Sequence, residues 1–324
     1  MLKLLTLTVF FGFFSNLVLA QNSPNWPSKP VRVIVAGTGG SATDMVARMF
    51  TEPLSKTFGQ AFIIDNKAGA NGMIATDAAA KAAPDQHTLL VTYAAAHVVN
   101  PVLLPKVPYD VRKDFTPVAQ IGSGGNLLVV PASMPVKDLS EFIAYVKGKP
   151  AGSLSYGSWG NGSGGHLSME ALLQKTGLKM AHVPYKAVTA SLTDLGGGLL
   201  QAAFAPMATV FPMVQAGRFK AIAVSGPYRV PQLPDVRTMT EQGVPFDLEA
   251  YFAFIAPSSM SKEVVSRLNL EINRLLFAPE MQEKVKSLGF SAIPRRTPEE
   301  FASRIEKDLQ EWGAIVKSSN ITVD

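Results

Sequence analysis

The run Val31-Arg32-Val33-Ile34-Val35, the glycine-rich turn Gly37-Thr38-Gly39-Gly40-Ser41 and the amphipathic stretch from Ser41 to Phe58 follow one another almost without interruption. A β-branched run that turns through glycines into a helical period is a βα unit, and it directs the chain towards α/β architecture. Val46, Phe50, Leu54 and Phe58 recur at every fourth position and so share one helix face. Ser41 and Asp44 stand in the capping-box relation, Gly59 is placed to stop the helix, and Pro53 is expected to kink it.

The same alternation continues. Apolar runs at 61–64 and 89–93 flank a helix expected over Thr76 to Ala83, which argues for parallel strands joined by crossovers. A comparable series begins near Asn126: strands at 127–130, 154–156, 181–184 and 202–204, with helices over Leu139 to Lys147 and Gly165 to Lys175. The tail returns to an apolar strand at Tyr251 to Ala256 and ends in helices over Glu263 to Leu276 and Pro298 to Lys317. Phe301, Ile305, Leu309 and Trp312 line one face of the last helix. It is expected to pack back on the first series.

Lys3 precedes an uncharged apolar run, and Val18-Leu19-Ala20 offers small residues for cleavage, the pattern of a secretory leader at 1–20 cut after Ala20. The run is shorter than the roughly 20 residues a spanning helix needs. About 300 residues would remain, 47% of the whole chain is hydrophobic, and such a length tends to divide in two. With crossings near Ile121 and Phe246, one lobe takes 21–121 plus 247–324 and the other 122–246. Loss of Lys3 leaves 29 basic against 25 acidic residues, a mild excess that favours anionic ligands. No run of Lys and Arg interleaved with aromatics points to nucleic acid. There is no cysteine, hence neither a disulfide framework nor a thiolate nucleophile.

Two glycine-rich turns between strand and helix carry the most chemistry: 37–41, and Gly157-Ser158-Trp159-Gly160-Asn161-Gly162-Ser163-Gly164-Gly165. Each should expose a helix N-terminus, whose unpaired N–H groups and positive dipole end suit a carboxylate. Taken singly, such a turn can equally be no more than a tight turn. The first also matches the looser dinucleotide fingerprint, with Asp65 at a plausible distance, but an exported chain rarely uses a diffusible dinucleotide.

The histidines at 87, 97, 166 and 182 have no metal spacing. His166, at a helix start beside the second turn, suits either a ligand donor or a cap. His182, within a strand, reads as core. No Gly-x-Ser-x-Gly elbow occurs. The paired carboxylates Glu299-Glu300 and Asp308-Glu311 read as a solvated helix face, and Asp44 with Arg48 as an intrahelical pair.

With these residues in view, the chain resembles the Bug family of extracytoplasmic solute receptors, the binding components of tripartite tricarboxylate transporters. The likeness runs nearly end to end and rests on segments in a shared order: Trp26-Pro27 with 30–35, Thr43-Asp44 with Ala47-Arg48, 65–72, Pro84-Asp85 with 88–90, 182–186, Ala216-Gly217-Arg218 and 233–236. It implies a two-lobed α/β periplasmic binding protein of Venus-flytrap architecture, each lobe a mostly parallel sheet flanked by helices. Its implied partners are a small organic acid and inner-membrane transporter subunits, with no cofactor, and a monomer is expected since lobe closure needs freedom. By position the implied contacts are Thr38, Gly40, Ser41 and Asp44; Ala70 and Asn71; Ser158, Asn161, Gly162, Ser163 and His166; and Tyr185.

Where the family reads Pro-Phe-x-Pro-Gly-Gly-x-x-Asp, this chain has Gly37 in place of the aromatic, a departure that predicts a wider loop mouth and a bulkier ligand than a four-carbon diacid. A sensor subunit presenting its ligand to a signalling partner shares every feature of a transport receptor. An exported α/β enzyme acting on an organic acid is the third reading, and it lacks a nucleophile, base and orienter at recognisable spacing.

Overall fold

The computed structural model describes residues 26–246, 249–291 and 295–319. The leader expected at 1–20 lies outside the described residues, as do positions 247–248, 292–294 and 320–324.

The chain lays down β1 (Val31–Val35), α1 (Ala42–Phe58), β2 (Phe62–Asn66), α2 (Met73–Ala80), β3 (Thr88–Tyr93), α3 (Asn100–Leu103) and β4 (Phe115–Gly124). It continues through β5 (Asn126–Pro131), α4 (Leu139–Lys147), β6 (Ser155–Ser158), α5 (Gly164–Thr176), β7 (Ala181–Pro184), α6 (Val188–Gly196), β8 (Ala202–Pro206), α7 (Met207–Gln215) and β9 (Phe219–Val224). Strand β10 (Ala250–Pro257) and helices α8 (Lys262–Leu276), α9 (Pro279–Ser287) and α10 (Pro298–Ser319) complete it.

Two five-stranded sheets result, ordered β2-β1-β3-β10-β4 and β7-β6-β8-β5-β9. In the first, β1 is parallel to β2 and β3, while β10 runs against both β3 and β4. In the second, β6 is parallel to β7 and β8, while β5 runs against both β8 and β9. Each sheet therefore has four strands in one direction and one reversed. The reversed strand is in both cases the first laid down after the chain arrives from the other sheet.

Alternation within β1 shows why its sequence is almost uninterrupted apolar. Val31, Val33 and Val35 pack into the layer with Val46, Phe50 and Leu54 of α1 and Leu268 of α8. Ile34 faces the opposite layer, which carries Ala75 and Ala79 of α2. Burial on both faces removes any need for polar alternation. Helix α1 starts where Ser41 Oγ accepts the Asp44 N–H at 3.3 Å and stops at Gly59 in left-handed conformation, φ 71°. It runs through Pro53 as one helix.

Helix α10 places Phe301, Ile305, Leu309 and Trp312 in a core shared by residues of both sheets, and it touches α5 as well as β4 and α3. The expected helix over 76–83 lies earlier, at Met73–Ala80, because Gly72 supplies its left-handed start. Gly125, between β4 and β5, lies against Gly226, which follows β9: a Cβ on Gly125 would fall 2.1 Å from the Gly226 nitrogen. Asn126 N–H donates to Ser225 Oγ at 2.8 Å, and Ser225 N–H donates to the Asn126 carbonyl at 2.9 Å.

Candidate functional site

A cavity of about 650 Å³ opens between the two sheets. Its first-lobe wall begins with an unusual backbone: Ala70 and Asn71 hold φ of 47° and 48°, followed by Gly72 at 84°. Non-glycine residues reach this left-handed region at a cost of roughly 1–2 kcal/mol each, so something must hold them there. Asn100 does so. Asn71 Nδ2 donates to Asn100 Oδ1 at 2.9 Å, Asn100 Nδ2 donates to the Asn71 carbonyl at 3.0 Å, and Tyr93 OH donates to Asn71 Oδ1 at 2.9 Å. Tyr93 and the Asn100 turn also line the cavity. Burial of the Tyr93 phenol raises its pKa to about 12, so it stays a neutral donor.

The second-lobe wall is the turn between β6 and α5. Ser163 caps α5, its Oγ accepting the His166 N–H at 3.3 Å, and Gly162 N–H donates to His166 Nδ1 at 3.1 Å. The first-turn amides of Gly164 and Gly165 lie beyond reach of any intrahelical carbonyl, and Gly164 lines the cavity with Asn161, Gly162 and Ser163. The dipole of this 13-residue helix adds positive potential at the same end. Behind the turn, His166 and His182 stack at 3.8 Å, and His182 stacks on Tyr156 at 4.9 Å. Burial holds both histidines down to about 4, with the charge of His182 adding to the effect on His166, so neutral imidazoles buttress the turn.

Of the residues expected to contact ligand, Ala70, Asn71, Asn161, Gly162 and Ser163 line the cavity. Thr38, Gly40 and Ser41 sit in a loop outside that wall, with Thr38 and Gly40 exposed. Asp44 is buried at the root of the same loop: Gly40 N–H and Arg48 Nε donate to Oδ2 at 2.9 and 2.8 Å, and Asn66 Nδ2 donates to Oδ1 at 3.0 Å. Burial pushes the Asp44 pKa up, but these donors outweigh it and hold the carboxyl at about 2. His166 lies behind the second turn, and Tyr185 OH donates to Asp194 Oδ2 at 2.6 Å. At Gly37 a Cβ would fall 2.5 Å from Ser41 Oγ, and Gly37 is not part of the cavity wall.

Ser158 and His182 form the pair that most resembles a catalytic dyad, Oγ to Nε2 at 2.7 Å. Ser158 is completely buried, also bonds the Gly160 backbone, and does not line the cavity. The pair braces the turn.

The rest of the wall was not anticipated from sequence: Met73, Leu103 and Leu104, Asn126 at the crossing, Trp159, Tyr251 and Phe252 on β10, and Phe290. Trp159 stood in view inside the glycine-rich turn. Phe290 had no local signal, since only folding brings the chain after α9 to this cavity. Among the described residues, no cluster of His, Asp or Glu could hold a metal ion, and no helix is long and apolar enough to cross a membrane.

Residues 46–321 match the family model for the tripartite tricarboxylate transporter family receptor. The protein BugT of Bordetella pertussis is 30% identical over 321 residues, covering 98% of each chain. Among solved structures, Rpa4515 of Rhodopseudomonas palustris, determined with adipate, is 32% identical with a TM-score of 0.75, covering 92% of this chain and 99% of that one. MatC (Rpa3494) of the same organism, with bound malate, is 32% identical with a TM-score of 0.71, covering 90% and 100%.

Proposed function

Because the chain belongs to the tripartite tricarboxylate transporter receptor family, we propose that it captures a small organic carboxylate between its lobes and delivers it to inner-membrane transporter subunits. The observation that carries this reading is the cavity itself, walled on one side by the N-terminus of α5 and on the other by the Asn71–Asn100 amide pair. Each charge-assisted hydrogen bond contributes about 1.5–3 kcal/mol, and a few suffice for roughly micromolar affinity. The adipate and malate bound by the two Rhodopseudomonas palustris relatives support a carboxylate in particular.

The protein works in the periplasm, with the leader at 1–20 removed after Ala20, and binds without chemical turnover. Its lobes divide at 21–121 plus 247–324 and 122–246, and α10 straddles the two. Closure moves one sheet towards the other about the crossings near Ile121 and Phe246.

A thermal-shift screen of the mature chain against mono-, di- and tricarboxylates, amino acids and aromatic acids tests this. Ligand at a hundredfold excess over Kd stabilises the fold by about 2.7 kcal/mol. A saturable shift with one class of acid, without consumption of it, supports the receptor reading; consumption of an acid, or no shift with any, overturns it.

A further inference from the structure

Two aromatic rings reach the cavity from opposite lobes, and each lies on a pair of glycines. In the second lobe the Trp159 indole covers the first turn of α5: a Cβ on Gly165 would fall 2.4 Å from Trp159 Cζ3, and one on Gly164 3.4 Å from Cζ2. In the first lobe Phe290 covers the end of β4: a Cβ on Gly122 would fall 2.8 Å from Phe290 Cβ, and one on Gly124 3.3 Å from Cδ1. Phe252 extends this second platform, with ring centroids 5.0 Å apart. A side chain at Gly122 or Gly165 would displace the ring above it.

Both rings line the cavity and both remain partly exposed, so neither is a completed core contact. Among the described residues lining the cavity there is no Lys, Arg, Asp or Glu. A short polyanion would bring several charges into a space whose walls are mostly apolar, where unpaired charge is expensive. A flat apolar body with one anionic end meets no such penalty, and stacked rings gain beyond the area they bury.

We propose that Trp159 and Phe290 form a clamp that closes on the planar body of an aromatic monocarboxylate, whose single anionic group meets the first-turn amides of α5. This rests on the receptor reading above and names its ligand class.

The test is titration of the mature chain with benzoate, phenylacetate, succinate and malate, read by calorimetry and by tryptophan emission. Trp26 and Trp312 are buried at 8% and 7% exposure, so an emission change reports chiefly on Trp159. The aromatic acids are expected to bind at least tenfold more tightly than succinate or malate and to change the emission. Trp159→Ala and Phe290→Leu should each weaken aromatic binding about tenfold, at the upper end for a ring contact, and leave succinate within about twofold. Trp159→Phe should retain most of the preference, which separates loss of a ring from loss of the fold. Tighter binding of succinate or malate than of either aromatic acid, or unchanged aromatic affinity in folded Trp159→Ala, overturns the clamp and leaves the receptor reading standing. Binding of no acid at all overturns both.

Discussion

The imidazoles of His166 and His182 lie face to face, centroids 3.8 Å apart and planes within 10° of parallel, directly behind the turn that supplies the second-lobe wall. Two imidazolium ions at this distance would repel by about 4 kcal/mol at an effective dielectric near 20, so the arrangement favours at least one neutral ring. Gly162 N–H donates to His166 Nδ1, which must therefore carry no proton of its own.

The pH dependence follows from that stack. Both histidines titrate near 4 in the fold against 6.5 ordinarily, so between these values the unfolded chain binds more protons than the native one. Stability must then fall as pH drops from about 6.5 towards 4, with no contribution above 6.5, and solvent screening of the half-buried His182 makes its share the smaller. His97, buried and also held to about 4, adds in the same sense. Asp308 opposes it: burial raises its carboxyl to about 7 despite Arg304, so the fold takes up its proton first and gains stability as pH falls through 7. Urea melts at pH 4.5, 5.5 and 7 should show a shallower loss in His182→Gln than in the parent, and equal slopes would refute the assignment.

Asp44 anchors the first glycine-rich loop through Gly40, Arg48 and Asn66. Its pKa of about 2 against 3.8 means that its contribution is complete above 3.8 and lost as pH falls through 2. Asp44→Ala removes three donors' acceptor at once and should lower stability by about 2 kcal/mol, seen as a Tm drop of several degrees. Hydrogen exchange at the amides of residues 38–41 should rise with it. Unchanged Tm and exchange would show that the loop holds itself.

The βα order, the glycine-rich turns and the cap of α1 were legible because each depends on residues within a few positions of one another, whereas the cap of α5 fell to Ser163 and not to His166. Ser41 with Asp44, and Gly59 at φ 71°, behave as their spacing requires. Strands β4 and β9 and helices α6, α7 and α9 went unread, β4 because Gln120 and three later Gly and Ser residues break the apolar run that normally marks a buried strand. Of the site, the backbone-bearing turns at 70–71 and 161–163 were within reach. Tyr93, Asn100, Asn126 and Phe290 were not, because their roles arise from pairings between segments far apart in the chain. Gly37, read from sequence as widening the mouth of the first loop, stands outside the cavity wall, and a Cβ added there would meet Ser41 Oγ at 2.5 Å.

Gly72 joins the left-handed turn to α2 at φ 84°, and a Cβ there would lie 2.6 Å from Ala96 Cβ and 3.4 Å from Ala36 Cβ. Gly72→Ala therefore adds a backbone penalty to a clash with two buried small residues that have no rotamer to yield. A loss of about 2–4 kcal/mol is expected, together with weaker ligand binding, because Asn71 would move with the backbone. Chemical denaturation measures the first and titration the second. A variant as stable as the parent would place the left-handed geometry in doubt.

Glu249, just before β10, is buried where β4 and α10 converge. Gln120 Nε2 donates to its Oε1 at 2.7 Å, while Arg296 Nη1 and Arg304 Nε each stand 3.3 Å from its Oε2, and Arg304 pairs in turn with Asp308. The cluster lies beneath Tyr251, whose buried phenol is raised well above its ordinary pKa by burial and by the charges of Asp308 and Glu249, whose ring packs edge-on against Phe301 of α10, and which is among the residues lining the cavity. Removing one member of a buried ion cluster leaves its partners charged without compensation, typically at 3–5 kcal/mol. Glu249→Ala should destabilise by about that much, while Glu249→Gln keeps the Gln120 geometry in part and should lose less. Because Glu249 ties the start of β10, whose Tyr251 and Phe252 line the cavity, to Gln120 of β4 and Arg304 of α10, Glu249→Gln should also change ligand affinity in protein that remains folded. Titration of that variant at a temperature well below its Tm decides: an affinity equal to the parent's would make the cluster a matter of stability alone.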